Sequence, residues 1–286
     1  MNTIDAHVHV WTPDTIHYPL AKGFTKDDMK PASFTPDELF RHCKPVGVTR
    51  VNLIQMSYYG FDNRYMLDMI GAHKGVFVGT AIVDPNAAGV DRQMTDLAKH
   101  GVRAFRVYPG LDRGGRANEG SGKTWLQAAG YGKMFAAAAR NNQAISCLIN
   151  PDALPELDRM CRKYPGTPVI IDHLCRIGVS GTIDDKDVDA LGAMAKHARV
   201  MVKVGAFYAL GKKKPPYTDL AGLIERVVKA FSPQRCMWES DSPFQVGEGH
   251  TYAASIDLIR SGLPFLTASD RDWLLRRTAE KFFFGG

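Results

Sequence analysis

Short apolar runs alternate along the chain with longer segments whose apolar residues recur every three or four positions. The clearest longer segment is 218–231, where Leu220, Leu223, Ile224, Val227, Val228 and Phe231 make one stripe at helical spacing. The short runs predict strands at 3–11, 50–57, 75–83, 102–108, 144–149, 168–173, 200–205 and 236–241. Between them the pattern predicts helices at 35–45, 62–73, 89–100, 125–141, 151–164, 184–197 and 218–231, with two more at 251–260 and 269–283. The first helix carries its own start signal, with Thr35 as N-cap, Pro36 at the first position and Glu38 three residues after the cap. Two long loops, 12–34 and 109–124, interrupt the regular alternation, and loops of that length are more often functional than passive.

Eight strands, each followed by a helix and joined by crossovers long enough for parallel pairing, predict an α/β fold: a (β/α)8 TIM barrel in a single domain over 1–286. The competing architecture is a doubly wound open sheet. It would place a glycine-rich fingerprint after the first strand, where Trp11-Thr12-Pro13 stands instead.

In a strand, residues two apart share a face, so His7 and His9 project together from the first run. A bare His-x-His is more often a pair of hydrogen-bonded core histidines than half a metal site. In a barrel, however, strand ends converge on one rim, and His173 and Asp241 close the sixth and eighth predicted strands. Three imidazoles and a carboxylate can bind a divalent ion together, or three groups can bind it while Asp241 serves as base. Strand five, Ala144-Ile145-Ser146-Cys147-Leu148-Ile149-Asn150, adds neither histidine nor lysine.

The segments Asp5-Ala6-His7-Val8-His9-Val10-Trp11, Val169-Ile170-Ile171-Asp172-His173-Leu174 and Trp238-Glu239-Ser240-Asp241-Ser242-Pro243 resemble the amidohydrolase superfamily in its amidohydrolase-2 branch. The resemblance covers the whole chain and is nearest the sugar-acid and dicarboxylate lactonase group. It implies a TIM barrel that hydrolyses a small carboxylated or polyhydroxylated substrate. The chain departs from that group at Glu239 and Ser242, where it has Gly and Trp, and at Cys175, where it has Gly; Arg277-Thr278-Ala279 replaces its Gly-Asn pair. The resemblance implies a metal held by His7, His9, His173 and Asp241, zinc before manganese, with Asp241 and His173 catalytic. Members that bind metal tightly, decarboxylases included, have a histidine on strand five. Its absence here favours a lactonase over a carboxy-lyase and keeps a metal-free mechanism open, in which Asp241 still acts as base. A catalytically silent sugar-acid-binding barrel is the alternative outside enzymology.

Composition trims the remaining possibilities. With 45% hydrophobic and 23% charged residues the chain reads as an ordinary globular protein, and no apolar run reaches bilayer length. Asp5 and the two histidines stand where a signal peptide would have an apolar core, so the expected setting is the cytoplasm, with no membrane partner. Five scattered cysteines, none in C-x-x-C spacing, fit neither a disulfide framework nor a cysteine-rich zinc site. The net charge of +6 is spread along the chain without aromatic–basic interleaving, which argues against nucleic acid and for an anionic small molecule or a solvated surface. Candidate substrate contacts are Arg106 and Arg176, whose rigid forks suit a carboxylate, with Arg113, Arg116 and Lys123 in the loop above. Trp11, Tyr58 and Tyr208 are the expected pocket walls. The stretch 117–124 fits a relaxed P-loop but does not leave its strand directly. Cys175 reads as a buried thiol, and His17, His42, His73, His100 and His197 as surface residues. A homo-oligomer stays open.

Overall fold

The computed structural model describes residues 2–110 and 125–285. Arg113, Arg116, Lys123 and the stretch 117–124 therefore lie outside the described residues. Eight parallel strands follow one another round one sheet in chain order: β1 (Thr3–Val8), β2 (Val48–Ile54), β3 (Phe77–Ala81), β4 (Val102–Val107), β5 (Ala144–Cys147), β6 (Val169–Ile171), β7 (Val200–Gly205) and β8 (Cys236–Glu239). The ring closes where Val8 bridges Ser242, with the Asp241 N–H donating to the His7 carbonyl at 3.0 Å and the His9 N–H to the Ser242 carbonyl at 2.8 Å. This is the (β/α)8 barrel expected from the alternation, and the open sheet is excluded.

Period-two alternation divides the strands. Val78, Ala104, Ala144, Ile170 and Met237 fill the barrel interior with Ile4 and Ala6, and Ala279 and Phe283 join the same cluster. Phe105, Ile145, Val169, Val202 and Val204 face outward into the larger cluster shared with the helices. Those helices are α1 (Pro36–Cys43), α2 (Arg64–Ala72), α3 (Val90–Lys99), α4 (Ala129–Asn141), α5 (Leu154–Lys163), α6 (Asp185–Ala193), α7 (Ala221–Phe231), α8 (Tyr252–Asp257) and α9 (Ala268–Asp272). The predicted capping box opens α1: the Thr35 N–H donates to Glu38 Oε2 at 2.6 Å and the Glu38 N–H to Thr35 Oγ1 at 3.4 Å. The stripe on α7 is buried at Leu223, Ile224, Val227, Val228 and Phe231.

Two departures from the pattern position the site. First, β1 carries a one-residue register shift between Asp5 and Val8. Ile4 and Ala6 face the barrel interior, yet beyond the shift the interior face passes to His7 and His9, while Val8 and Val10 join the outer core. Asp5 holds the irregularity: its Oδ1 accepts from the N–H groups of His7 and Ser240, both at 3.0 Å, and Tyr252 donates to its Oδ2. Second, β6 and β8 end sooner than the apolar runs do. His173, Leu174, Cys175 and Arg176 have φ of 53°, 51°, 57° and 56°, and Asp241 has φ of 60°. Left-handed backbone costs a non-glycine residue roughly 1–2 kcal/mol, so the chain leaves the ladder at a price in strain and re-aims these side chains.

Candidate active site

The C-terminal ends of the strands open into a cavity of about 650 Å³. His9, Arg106, His173, Arg176, Tyr208 and Asp241 all line it. His7 lies just beneath, fully buried, with its Nε2 3.2 Å from His9 Nε2 and 3.5 Å from Asp241 Oδ1. Asp241 Oδ1 is also 3.4 Å from His9 Nε2, and Asp241 Oδ2 is 3.9 Å from His173 Nε2. The four residues singled out in the sequence therefore converge on one point.

Below them is a layer that sequence reasoning did not assign. Lys203, on β7, is wholly buried; its Nζ lies 2.9 Å from Asp172 Oδ1 and 3.1 Å from His7 Nδ1. Ser146, the inward residue of β5, donates to Asp172 Oδ1 at 2.9 Å. Glu239, at the end of β8, accepts from His173 Nδ1 at 2.6 Å. Above this layer Arg106, the substrate contact expected on β4, reaches His9 Nε2 at 3.3 Å and His173 Nε2 at 3.5 Å, and its Nε lies 3.7 Å from Asp172 Oδ2. A signal for this layer was present: Lys203 and Glu239 are charged residues inside strands whose neighbours are apolar. Such residues are almost never fully buried unless paired.

The partners assign the tautomers. His9 Nδ1 faces the Ile54 carbonyl at 3.0 Å, which only accepts, so Nδ1 carries the proton and Nε2 offers its lone pair to the cavity. An ammonium only donates, so His7 Nδ1 accepts from Lys203 and the His7 proton sits on Nε2, facing His9 and Asp241. Burial and the nearby Lys203 charge push the His7 pKa well below its ordinary value, and burial lowers that of His9. Burial also opposes charge on His173, but the Glu239 and Asp241 carboxylates outweigh it and raise its pKa. Burial drives the Glu239 pKa up against the pull of His173, whose Nδ1 faces Glu239 Oε1 at 2.6 Å. Although burial works against it too, Asp241 is held far below the usual carboxylate range, mainly by the charge of His173 and the contact with His9.

Donor chemistry fits a divalent ion. His7, His173, Glu239 and Asp241 can each bring a ligand atom within 4.8 Å of the others. Among the described residues Asp241 Oδ1 and Glu239 Oε2 are buried without a hydrogen-bond partner, as carboxylate oxygens awaiting a cation would be. Among the described residues this grouping has Glu239 where His9 was expected, because Glu239 reaches the other donors from the end of β8, and strand five contributes no ligand. Arg106 and Lys203 hold two fixed positive charges against the same nitrogens, so an ion would enter against their repulsion.

The expected walls divide. Tyr208 lines the cavity and donates to Asp241 Oδ2 at 2.7 Å, which fixes the carboxylate's rotamer. Trp11 and Tyr58 do not line it: Trp11 is fully buried, donates to the Pro31 carbonyl at 2.9 Å and meets Tyr58 edge-on. They brace the loop behind the wall, because two large apolar rings gain more from mutual burial than from a wet cavity. Phe244 takes the place expected of Trp11. All five cysteines are buried and free, and burial pushes the Cys175 thiol up, away from nucleophilic use. Of the outlying histidines, His17, His42 and His100 are exposed, whereas His73 is half-buried and His197 is half-buried on Asp158 at 2.7 Å. No helix among the described residues is long and apolar enough to cross a membrane.

A parallel barrel with buried imidazoles and a carboxylate converging at its catalytic rim defines a water-activating hydrolase of the TIM-barrel type. The chain belongs to the amidohydrolase family, whose model matches residues 4–285. It is 26% identical over 252 residues to a 2-pyrone-4,6-dicarboxylate hydrolase of Comamonas testosteroni, covering 84% of this chain and 76% of that one. It is 23% identical over 251 residues to an L-fucono-1,5-lactonase of Burkholderia ambifaria, covering 86% and 82%. Among solved structures, an amidohydrolase of Burkholderia multivorans with bound zinc superposes with a TM-score of 0.82 at 18% identity, covering 99% of both chains.

Proposed function

We propose that the protein hydrolyses a small anionic lactone, with Asp241 as the proton acceptor for the attacking water. The observation that carries this reading is the placement of Asp241 at the cavity floor, its Oδ1 unpartnered and its Oδ2 held by Tyr208. A carboxylate held in its ionised form has its lone pairs open to a proton, but the low pKa that keeps it ionised also makes it a weak base. The surrounding cations offset its weak basicity by favouring hydroxide over water. Arg106 directs donors toward the place a ring carbonyl oxygen would occupy and stabilises the charge that develops there. His173, held through Nδ1 by Glu239, stands beside Asp241 and helps keep it ionised. As the ring C–O bond breaks, Asp241 returns the proton to the leaving alkoxide, so proton and electron pair both balance. Arg176 receives the substrate's acid group, a role the names of relatives acting on carboxylated lactones support.

A divalent ion would be held by His173, Glu239 and Asp241 with His9 beside them, and by His7 once its Nε2 proton is displaced, and it would supply Lewis-acid polarisation of the carbonyl. Mixed nitrogen and carboxylate donors suit zinc, the ion bound in one structural neighbour, and manganese second, the ion bound in another. One observation favours a second reading, hydrolysis without an ion: Arg106 and Lys203 already place two positive charges on the same nitrogens. A carboxy-lyase on this barrel is disfavoured by Ser146, which stands at the inward position of β5 and is engaged by Asp172. A reducing cytoplasmic setting is supported by the five free, buried cysteines.

The test is metal analysis of purified protein together with a panel of carboxylated lactones, before and after exhaustive chelation. Hydrolysis lost on chelation and restored by zinc supports the metal reading; full activity in stripped protein supports the second. Release of carbon dioxide without ring opening would refute both.

A further inference from the structure

We propose that Lys203 keeps His7 out of the ligand set of a divalent ion at this site and makes it a hydrogen-bond donor to the reacting centre; this rests on the divalent-ion reading above. A histidine that binds a metal turns one ring nitrogen to the ion and donates its other N–H to a carboxylate or a backbone carbonyl. Two of the three imidazoles are set that way. His9 Nδ1 donates to the Ile54 carbonyl at 3.0 Å and His173 Nδ1 meets Glu239 Oε1 at 2.6 Å, so each turns Nε2 toward the cavity. Arg106 donates to both of these Nε2 atoms, at 3.3 and 3.5 Å. His7 is set the other way round.

The carboxylates that would orient His7 as a ligand are present but out of hydrogen-bond reach: Asp172 Oδ1 and Glu239 Oε2 each lie 3.8 Å from its Nδ1. The Lys203 ammonium stands closer, at 3.1 Å. Its three N–H bonds meet three acceptors: His7 Nδ1, Asp172 Oδ1 at 2.9 Å and Ser146 Oγ at 3.5 Å. It cannot turn from the imidazole without leaving a buried donor unmet. A neutral imidazole carries one N–H, so a ring that accepts at Nδ1 donates at Nε2. The far side of the ring agrees. His7 Nε2 lies 3.2 Å from His9 Nε2, which is an acceptor, and two lone pairs would repel at that distance. Asp241 Oδ1, a carboxylate oxygen, faces the same His7 nitrogen at 3.5 Å. The His7 N–H therefore occupies the place where a ligand lone pair would be needed, and Lys203 holds it there.

Zinc affinity, measured by competition with a chromophoric chelator, is compared in wild type, Lys203→Met, His7→Gln and the double variant. Lys203→Met should bind zinc about 10–100-fold more tightly, because Nδ1 can then donate to Asp172 or Glu239 and free Nε2 for the ion. His7→Gln should bind close to wild type, and should erase the gain when combined with Lys203→Met. A gain that survives His7→Gln would mean that the ammonium acts by charge alone and would overturn the proposal. So would no gain, or a His7→Gln protein that binds far more weakly than wild type. In those three cases the divalent-ion reading stands; zinc bound by none of the proteins would remove that reading and the proposal together. Lys203→Met strands Asp172, so Lys203→Met/Asp172→Asn carries the same comparison if the single variant unfolds. A second readout needs no metal: the imidazole nitrogen NMR spectrum of metal-free wild type should show His7 Nδ1 as an acceptor and the proton on Nε2, reversed or mixed in Lys203→Met. A proton on His7 Nδ1 in the wild type would refute the assignment outright.

Discussion

Lys203→Met removes an ammonium that lies wholly inside the barrel and replaces it with an apolar chain of similar length. The ammonium sits 2.9 Å from Asp172 Oδ1, a separation worth about 6 kcal/mol of gross attraction at an effective dielectric near 20. Much of that is offset by the cost of desolvating the ammonium, so the pair as a whole is close to neutral for stability. Removing one partner is another matter. Asp172 stays fully buried with the Ser146 hydroxyl at 2.9 Å, Arg106 Nε at 3.7 Å and His7 Nδ1 at 3.8 Å to answer its charge. Breaking a buried pair in this way costs about 3–5 kcal/mol; the remaining partners put the expectation at the lower end, about 3 kcal/mol. For a chain of this size that is a fall in Tm of roughly 6–12 °C. Asp172→Asn alone should also destabilise, because it strands the ammonium. The double variant should recover about 2 kcal/mol relative to the sum of the singles, since no unpaired charge is left behind. Thermal and denaturant unfolding of the four proteins near neutral pH measure all three quantities. A Lys203→Met protein as stable as wild type, or strictly additive losses, would refute the reasoning and leave Lys203 as an inert passenger.

Asp241→Asn keeps shape but removes the proton acceptor, so kcat should fall by about 10²–10⁴ with KM little changed; a folded variant with near-wild-type turnover would sink the role. Gly205→Ala places a Cβ 2.0 Å from the Glu239 carbonyl oxygen and 2.6 Å from its Cγ, so β8 must shift. A loss of about 1–3 kcal/mol is expected, together with reduced turnover as Glu239 leaves His173; unchanged melting and turnover would show that the barrel absorbs the methyl. Burial, outweighing its hydrogen bonds, raises the Asp5 pKa from 3.8 to about 6. A carboxyl raised in the folded state stabilises most below its unfolded pKa, and that contribution is lost as pH rises through the folded value. Between about pH 4 and 7 the stability of Asp5→Asn relative to wild type should therefore improve by up to ~3 kcal/mol; a pH-independent difference between the two proteins would contradict the assignment.

The elements were legible because their causes are local. Helical stripes, the Thr35 capping box and short apolar runs depend on neighbours a few residues apart, and they led directly to eight strands and a barrel. The rim residues His7, His9, His173 and Asp241 were legible because the barrel's topology turns strand ends into neighbours. Their boundaries were less so: nothing in a run of apolar residues announces that the backbone at His173–Arg176 and at Asp241 turns left-handed. That choice is imposed by closure of the ring and by the contacts the side chains then make.

What the sequence determined by itself was a period, a count of strands and the chemical types placed at their ends. Which face those types met was decided in three dimensions. A single extra residue in β1 moved His7 to the interior that Ala6 also faces, a parity that no alternation in the sequence reveals. Lys203, Ser146 and Glu239 come from three different strands and Asp172 from the end of a fourth, so their pairing exists only once the barrel is closed. Trp11 and Tyr58 left the expected wall for each other's faces, while Phe244 took it up. The physical reason is the same in each case. Propensity and periodicity are properties of adjacent residues, whereas burial of a charge is tolerated only where a partner arrives from elsewhere in the chain.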